Sequence, residues 1–199
     1  MPVPVPTAGG NIITPSPQTD PDCRGTYELS LQLAAQKNGT ALLALEQRTS
    51  PQCMIPVIKF RRAQYPYIAR HVFVAEYQRN KPMLLTFNGS RDPQSNANRT
   101  DVCTIPQKRT LLQQQNDPNL TMSDHCDEYP YASTMQGGIA GYPGVNPGTS
   151  NGPSMMMVPA AENRSQGGRL TQFYQGRDDN RRGVAMQRGD PFAVVAIMT

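Results

Sequence analysis

Asp124, His125, Asp127 and Glu128 place four titratable side chains within five residues, just before Tyr129-Pro130. Adjacent carboxylates repel unless positive charge holds them, so an Asp-Glu pair in a structured segment invites a divalent cation. An acidic surface loop is the plainer alternative, because charge clusters are usually solvated. Cys126 weighs against it: a disulfide there would anchor the acidic segment, and anchored carboxylates make better ligands. Pro130 biases Tyr129 toward extended backbone, which sets where the Glu128 side chain leaves the chain.

A second group of chemically useful residues is Pro159-Ala160-Ala161-Glu162-Asn163-Arg164-Ser165-Gln166-Gly167-Gly168, which runs into a helical pattern. Asn163 or Glu162 would cap that helix, and its first-turn amides together with Arg164 would face an anion such as phosphate. A simple capped helix without a ligand is the alternative.

These groups need elements to position them. Residues 1 to 22 are rich in Pro, Thr and Gly without periodicity and read as a flexible leader outside the fold. Tyr27, Leu29, Leu31 and Leu33 alternate, and Asn38-Gly39 separates them from Leu42, Leu43 and Leu45, which predicts a β-hairpin. Met54 to Phe60 reads as a strand, Tyr65 to Tyr77 as a helix and Pro82 to Phe87 as another strand. From Asn88 to Ser123 the chain is polar and is expected to be mostly loop, held by Cys103. After a Gly/Pro/Asn/Ser-rich excursion at 137 to 154, Met155-Met156-Met157-Val158 predicts a buried strand. Glu162 to Tyr174 then reads as a helix with Leu170 and Phe173 inward, and Pro191 to Met198 as a terminal strand. The expected class is α+β, with a small central antiparallel sheet flanked by helices, in one domain over 23–199.

Composition narrows the setting. The 199 residues are only 37% hydrophobic and include 19 Pro and 16 Gly, so a few apolar segments must build the core. A formal charge of +4 suits an anionic partner without identifying one. No apolar run approaches the roughly 20 residues that span a bilayer, so no membrane partner is expected. Cys23, Cys53, Cys103 and Cys126 are widely spaced with no C-x-x-C pair, which favours two disulfides over a zinc cluster. Of the three connectivities, Cys23–Cys53 with Cys103–Cys126 is expected. Five N-x-[ST] sequons, at Asn38, Asn88, Asn98, Asn119 and Asn163, suit a glycosylated chain of the secretory pathway, although chance in an Asn-rich sequence is the alternative. Met1-Pro-Val-Pro-Val-Pro does not form a signal peptide, so secretion would depend on a signal outside these residues.

The run Cys126-Asp127-Glu128-Tyr129-Pro130-Tyr131-Ala132-Ser133-Thr134, then Gly137-Gly138, then Asn163-Arg164-Ser165-Gln166-Gly167-Gly168, resembles the NucA/NucB deoxyribonuclease domain. Ile58-Lys59-Phe60, Tyr65-Pro66-Tyr67-Ile68-Ala69-Arg70-His71, Lys81-Pro82, Leu84-Leu85-Thr86 and Asn98-Arg99 occur in the family's order, so the resemblance covers about residues 53 to 199. It implies a ββα-metal-like nuclease core that cuts DNA with little sequence preference and uses one divalent cation, Mg2+ or Mn2+.

Carried onto this chain, the resemblance makes Asp127 the general base and Glu128 a metal holder, together with Asn163 or Gln172. Arg164 would contact the scissile phosphate, with Arg99 and Gln166 as further DNA contacts. His125 and Cys126 stand where compact members carry an Asp, which leaves His125 as an alternative base. A glycan on Asn163 would fill the site, so that sequon is expected to stay unmodified. The protein is expected to act as a monomer on the DNA backbone, and an inhibitor or immunity protein would be a further partner. Two rival readings remain open. One is a catalytically inactive polyanion-binding module using Arg61, Arg62, Arg164, Arg169, Arg181 and Arg182; the other is a toxin nuclease aimed at competitors.

Overall fold

A computed structural model describes residues 21–89, 93, 95, 97, 102–138, 152–177 and 185–199. Residues 1–20 of the leader expected over 1–22, most of the 137 to 154 excursion, and Asn98, Arg99, Arg181 and Arg182 lie outside the described residues.

Helices α1 (Arg24–Ala35) and α2 (Gly39–Glu46) occupy the segment whose alternation predicted a hairpin. The buried residues of α1, Tyr27, Ser30 and Ala34, follow helical spacing, while Leu29 is 42% exposed. Lys37 takes the left-handed conformation (φ 56°) that ends α1, and the Asn38 side chain caps α2 by accepting from the Ala41 amide at 3.1 Å. Gly39 packs closely on Val195: a Cβ there would lie 3.2 Å from Val195 Cγ1, which would have to shift by a few tenths of an ångström. Asn-Gly here marks a helix start rather than a β-turn.

Strand β1 (Val57–Arg61) leads into α3 (Pro66–Phe73), which continues as a π-helical turn over Val74–Gln78. Strand β2 (Leu84–Thr86) follows. The terminal strand β5 (Pro191–Ile197) inserts between them, parallel to β1 and antiparallel to β2. The class is α+β as expected, and its three-stranded sheet is mixed. Central position explains the nearly unbroken apolar run of β5, since both its faces are covered. Phe192 and Val194 face Ile58, Phe60, Val72 and Phe173 on one side. Ala193 and Val195 face Tyr27, Leu42 and Ile55 on the other.

Within the polar stretch from 88 to 123, expected to be mostly loop, the described residues include the helix α4 (Ile105–Gln115). Thr104 and Gln107 form a capping box and Pro106 lies in the first turn, which starts a helix with little apolar surface. Strands β3 (His125–Tyr129) and β4 (Ser154–Val158) form a separate antiparallel pair that pairs Asp127 with Met156. Met156 and Val158 join the core shared with α3, whereas Met155 and Met157 pack with Val102, Leu111 and Leu120. The edge of β4 is covered by Gln115, whose amide donates to Met157 O at 2.9 Å and accepts from Met157 N at 2.5 Å. The last helix, α5 (Ala160–Tyr174), starts directly after β4. Both disulfides have the expected connectivity, Cys23–Cys53 and Cys103–Cys126. No helix among the described residues is long and apolar enough to cross a membrane.

Candidate active site

β3, β4 and α5 form a strand-strand-helix unit, and α3 packs across it. The helices are fixed by side chains from other elements. Asp124, at the entrance to β3, accepts from the Ala160 amide at 3.1 Å and from the Thr121 amide at 2.8 Å. Partial burial raises its pKa, but these hydrogen bonds outweigh burial and hold it below the ordinary carboxylate value. Asp124 therefore caps α5, where Asn163 or Glu162 was the expected cap. Glu162 instead accepts from the Ile68 amide at 2.8 Å in the first turn of α3, locking the two helices together. Burial raises the Glu162 pKa despite this bond, and the nearby Asp127 adds to the rise.

The disulfide at Cys126 ties β3 to the residue preceding Thr104, so the acidic segment is strand and not loose loop. Asp127 is 6% exposed, and its Oδ2 lies 2.6 Å from Nδ1 of the fully buried His71. Opposite, His71 Nε2 lies 2.9 Å from Ser154 Oγ, which accepts from Arg79 Nη1 at 3.2 Å. Glu128 is half-buried with both carboxylate oxygens hidden from solvent. On α5, Asn163 Nδ2 donates to His125 Nδ1 at 3.1 Å, joining the alternative base to a proposed ligand.

A cavity of about 270 Å³ opens between β3 and α5, lined among others by Asp127, Glu128, Tyr131, Asn163, Gln166 and Tyr174. Gln166 is 2% exposed, and on this wall its side chain is the hydrogen-bonding neighbour of the buried Tyr131 hydroxyl. Both side chains line the cavity, so the pair can also meet a polar ligand there. Burial, reinforced by Asp127, pushes the Tyr131 phenol well above its ordinary pKa, so it stays a donor.

The expected site residues are thus partly assembled. Asp127, Glu128, Asn163 and Gln166 share the cavity wall. His125 touches Asn163 from the side. Arg164 and Gln172 are exposed and outside the lining, and Gln166 is on the cavity wall instead of the outer surface. Of the expected glycan acceptors, Asn38 and Asn119 are exposed, while Asn88 is only 6% exposed and poorly placed for a glycan. His71, Ser154 and Tyr131 escaped the sequence reading as site residues. His71 had one signal, its place in the Tyr65-to-His71 block of the resemblance; Ser154 had none.

The donor types fit a hard cation. Carboxylate and amide oxygens of Glu128, Asn163 and Gln166 are ligands of the kind Mg2+ takes through one or two carboxylates and retained water. Among the described residues, no three His, Cys, Asp or Glu side chains gather as a metal cluster.

The sequence matches the family Deoxyribonuclease NucA/NucB over residues 73–195, which takes in β2 to β4, most of β5 and the whole cavity wall. No curated protein matches the chain.

Proposed function

The chain belongs to the NucA/NucB deoxyribonucleases, and from that premise we propose that it is a divalent-cation-dependent DNA endonuclease with little sequence preference, worked by Asp127, Glu128 and Asn163. The observation carrying this reading is the convergence of those three side chains, with Gln166, on one cavity between β3 and α5.

Phosphodiester hydrolysis needs a positioned water, a base to take its proton, and positive charge for the phosphoryl oxygens. Asp127 is the base: it is the carboxylate at the cavity that a buried partner holds in one orientation. His125 is less suited, because Asn163 already donates to its Nδ1. Glu128 and Asn163 hold the cation, Mg2+ or Mn2+, and Asn163 is preferred over Gln172 because it lines the cavity. When bound, the cation supplies Lewis-acid charge for the phosphoryl and leaving oxygens. Gln166 Nε2 and the Tyr131 hydroxyl offer donors to non-bridging phosphate oxygens. Arg164, exposed beside Asn163, meets the backbone phosphate from the solvent side, and phosphate contacts position DNA without reading its bases. Two disulfides suit an oxidising compartment and support an extracellular enzyme, which acts as a monomer.

Nicking of supercoiled plasmid tests the reading. Wild-type cleavage should stop with EDTA and return with excess Mg2+ or Mn2+, and Asp127→Ala or Glu128→Ala should lose at least about 100-fold. EDTA-insensitive cleavage, or full activity in either variant, would refute it.

A further inference from the structure

We propose that His71 is the positioning residue of this nuclease, acting through Asp127 in an alignment set by Ser154 and Arg79; the proposal rests on the reading of Asp127 as the base. None of these three partners lines the cavity, so their effect on DNA must pass through the carboxylate.

The geometry has a direction. Arg79, exposed at the end of the π-helical turn, has no acceptor and donates through Nη1 to Ser154 Oγ at 3.2 Å and to Met155 O at 3.3 Å. The same Ser154 oxygen lies 2.9 Å from His71 Nε2, so it holds the far edge of the imidazole ring. A carboxylate only accepts, so Asp127 acting as base meets an N–H at His71 Nδ1, 2.6 Å from its Oδ2. Ser154, itself held by Arg79, fixes the orientation in which the ring presents that N–H to Asp127.

Burial gives the arrangement its stiffness. His71 is 0%, Ser154 1% and Asp127 6% exposed, so water does not compete for these bonds. The three side chains come from α3, β4 and β3, and the α5 first turn is tied to α3 through Glu162 and Ile68. A base that must meet one water needs its carboxylate plane held within a few tenths of an ångström and about 10–20°. With Oδ2 committed to His71, the rotation of the Asp127 carboxylate is set from behind the cavity.

A purely structural His71 would be replaced equally well by any side chain that fills the space and satisfies one neighbour, and isosteric amides separate the two cases. The Asn amide nitrogen occupies the place of Nδ1 and donates to Asp127. The Gln amide reaches the place of Nε2, so it bonds Ser154 and leaves Asp127 without its partner. Plasmid nicking by His71→Asn is expected within about fivefold of wild type. His71→Gln should lose about 10- to 100-fold in kcat with KM changed less than about threefold, at a melting temperature matching His71→Asn. Ser154→Ala, a small change that leaves His71 in place, should lower kcat in the same direction by a smaller factor.

Equal loss in the Asn and Gln variants, a loss confined to KM, or wild-type kcat in His71→Gln overturns the positioning role. Should either His71 variant fail to fold, Ser154→Ala decides, and unchanged kcat there overturns the proposal. Full activity in Asp127→Ala instead sinks the reading of Asp127 as base. Loss in Asp127→Ala with no loss in His71→Gln sinks only the role of His71.

Discussion

Replacing Glu76 by Gln is expected to remove most of the protein's loss of stability between about pH 5 and pH 8.5. Glu76 is 0% exposed in the π-helical turn, and burial pushes its pKa from 4.5 to about 8, against the opposing effects of the Tyr129 hydrogen bond and Lys37. The hydrogen bonds agree with a neutral acid. Tyr129 Oη lies 2.7 Å from Glu76 Oε1 and 2.9 Å from Pro82 O, yet a phenol has only one proton for two acceptors. A protonated Glu76 donates to Tyr129, which then donates to Pro82. The unfolded carboxyl ionises near its ordinary value and the folded one near 8, so between these the unfolded chain binds fewer protons. Stability from this group is therefore complete below the unfolded pKa and is lost as pH rises through the folded one. A rise from 4.5 to about 8, at about 1.4 kcal/mol per unit, gives a ceiling of about 5 kcal/mol. Relaxation around the ionised acid lowers this, and about half would still be measured easily. In Glu76→Gln the side chain stays neutral at every pH and its amide donates to Tyr129 in place of the acid proton. Urea unfolding of both proteins at about pH 5, 6.5 and 8.5 should show similar midpoints at the lowest pH and a more stable variant at the highest, with unchanged m. Parallel pH profiles for the two proteins would refute the reasoning.

Removing the disulfide that anchors β3, by Cys103→Ser with Cys126→Ser, opens a loop with a sequence separation of 23 and should cost about 3 kcal/mol. Its loss should also lower nicking activity more than loss of Cys23–Cys53, because Cys126 adjoins Asp127; equal activities would contradict that link. Glu162→Ala removes the acceptor for the Ile68 amide and should destabilise the fold by about 1 kcal/mol, read as a lower urea midpoint. Asn163 is expected to carry no glycan when the protein is made in a secretory host. Full occupancy at Asn163 by intact mass and peptide mapping, with activity retained, would remove it from the site.

The sequence by itself was most informative where one physical cause dominates. Strands buried on both faces must be apolar throughout, so β4 and β5 were visible as Met155-to-Val158 and Pro191-to-Met198. The helix over Tyr65 to Tyr77 showed its period, and the Asp127-Glu128 and Asn163-Arg164 segments stood out by residue type and order. Local signals with two meanings failed. The alternating apolar residues from Tyr27 to Leu33 belong to a helix whose inward face is Tyr27, Ser30 and Ala34, and Asn38-Gly39 caps a second helix. In α4 a capping box starts a helix too polar for hydrophobic periodicity to reveal. Tertiary structure alone decided who serves whom: Asp124 caps α5, Glu162 caps α3, and the C-terminal strand separates β1 from β2. It also placed His71, 56 residues from Asp127 in sequence, behind that carboxylate. A buried polar group takes whichever partner packing brings within hydrogen-bond reach, and nothing in the spacing of His71, Ser154 and Asp127 along the chain encodes that meeting.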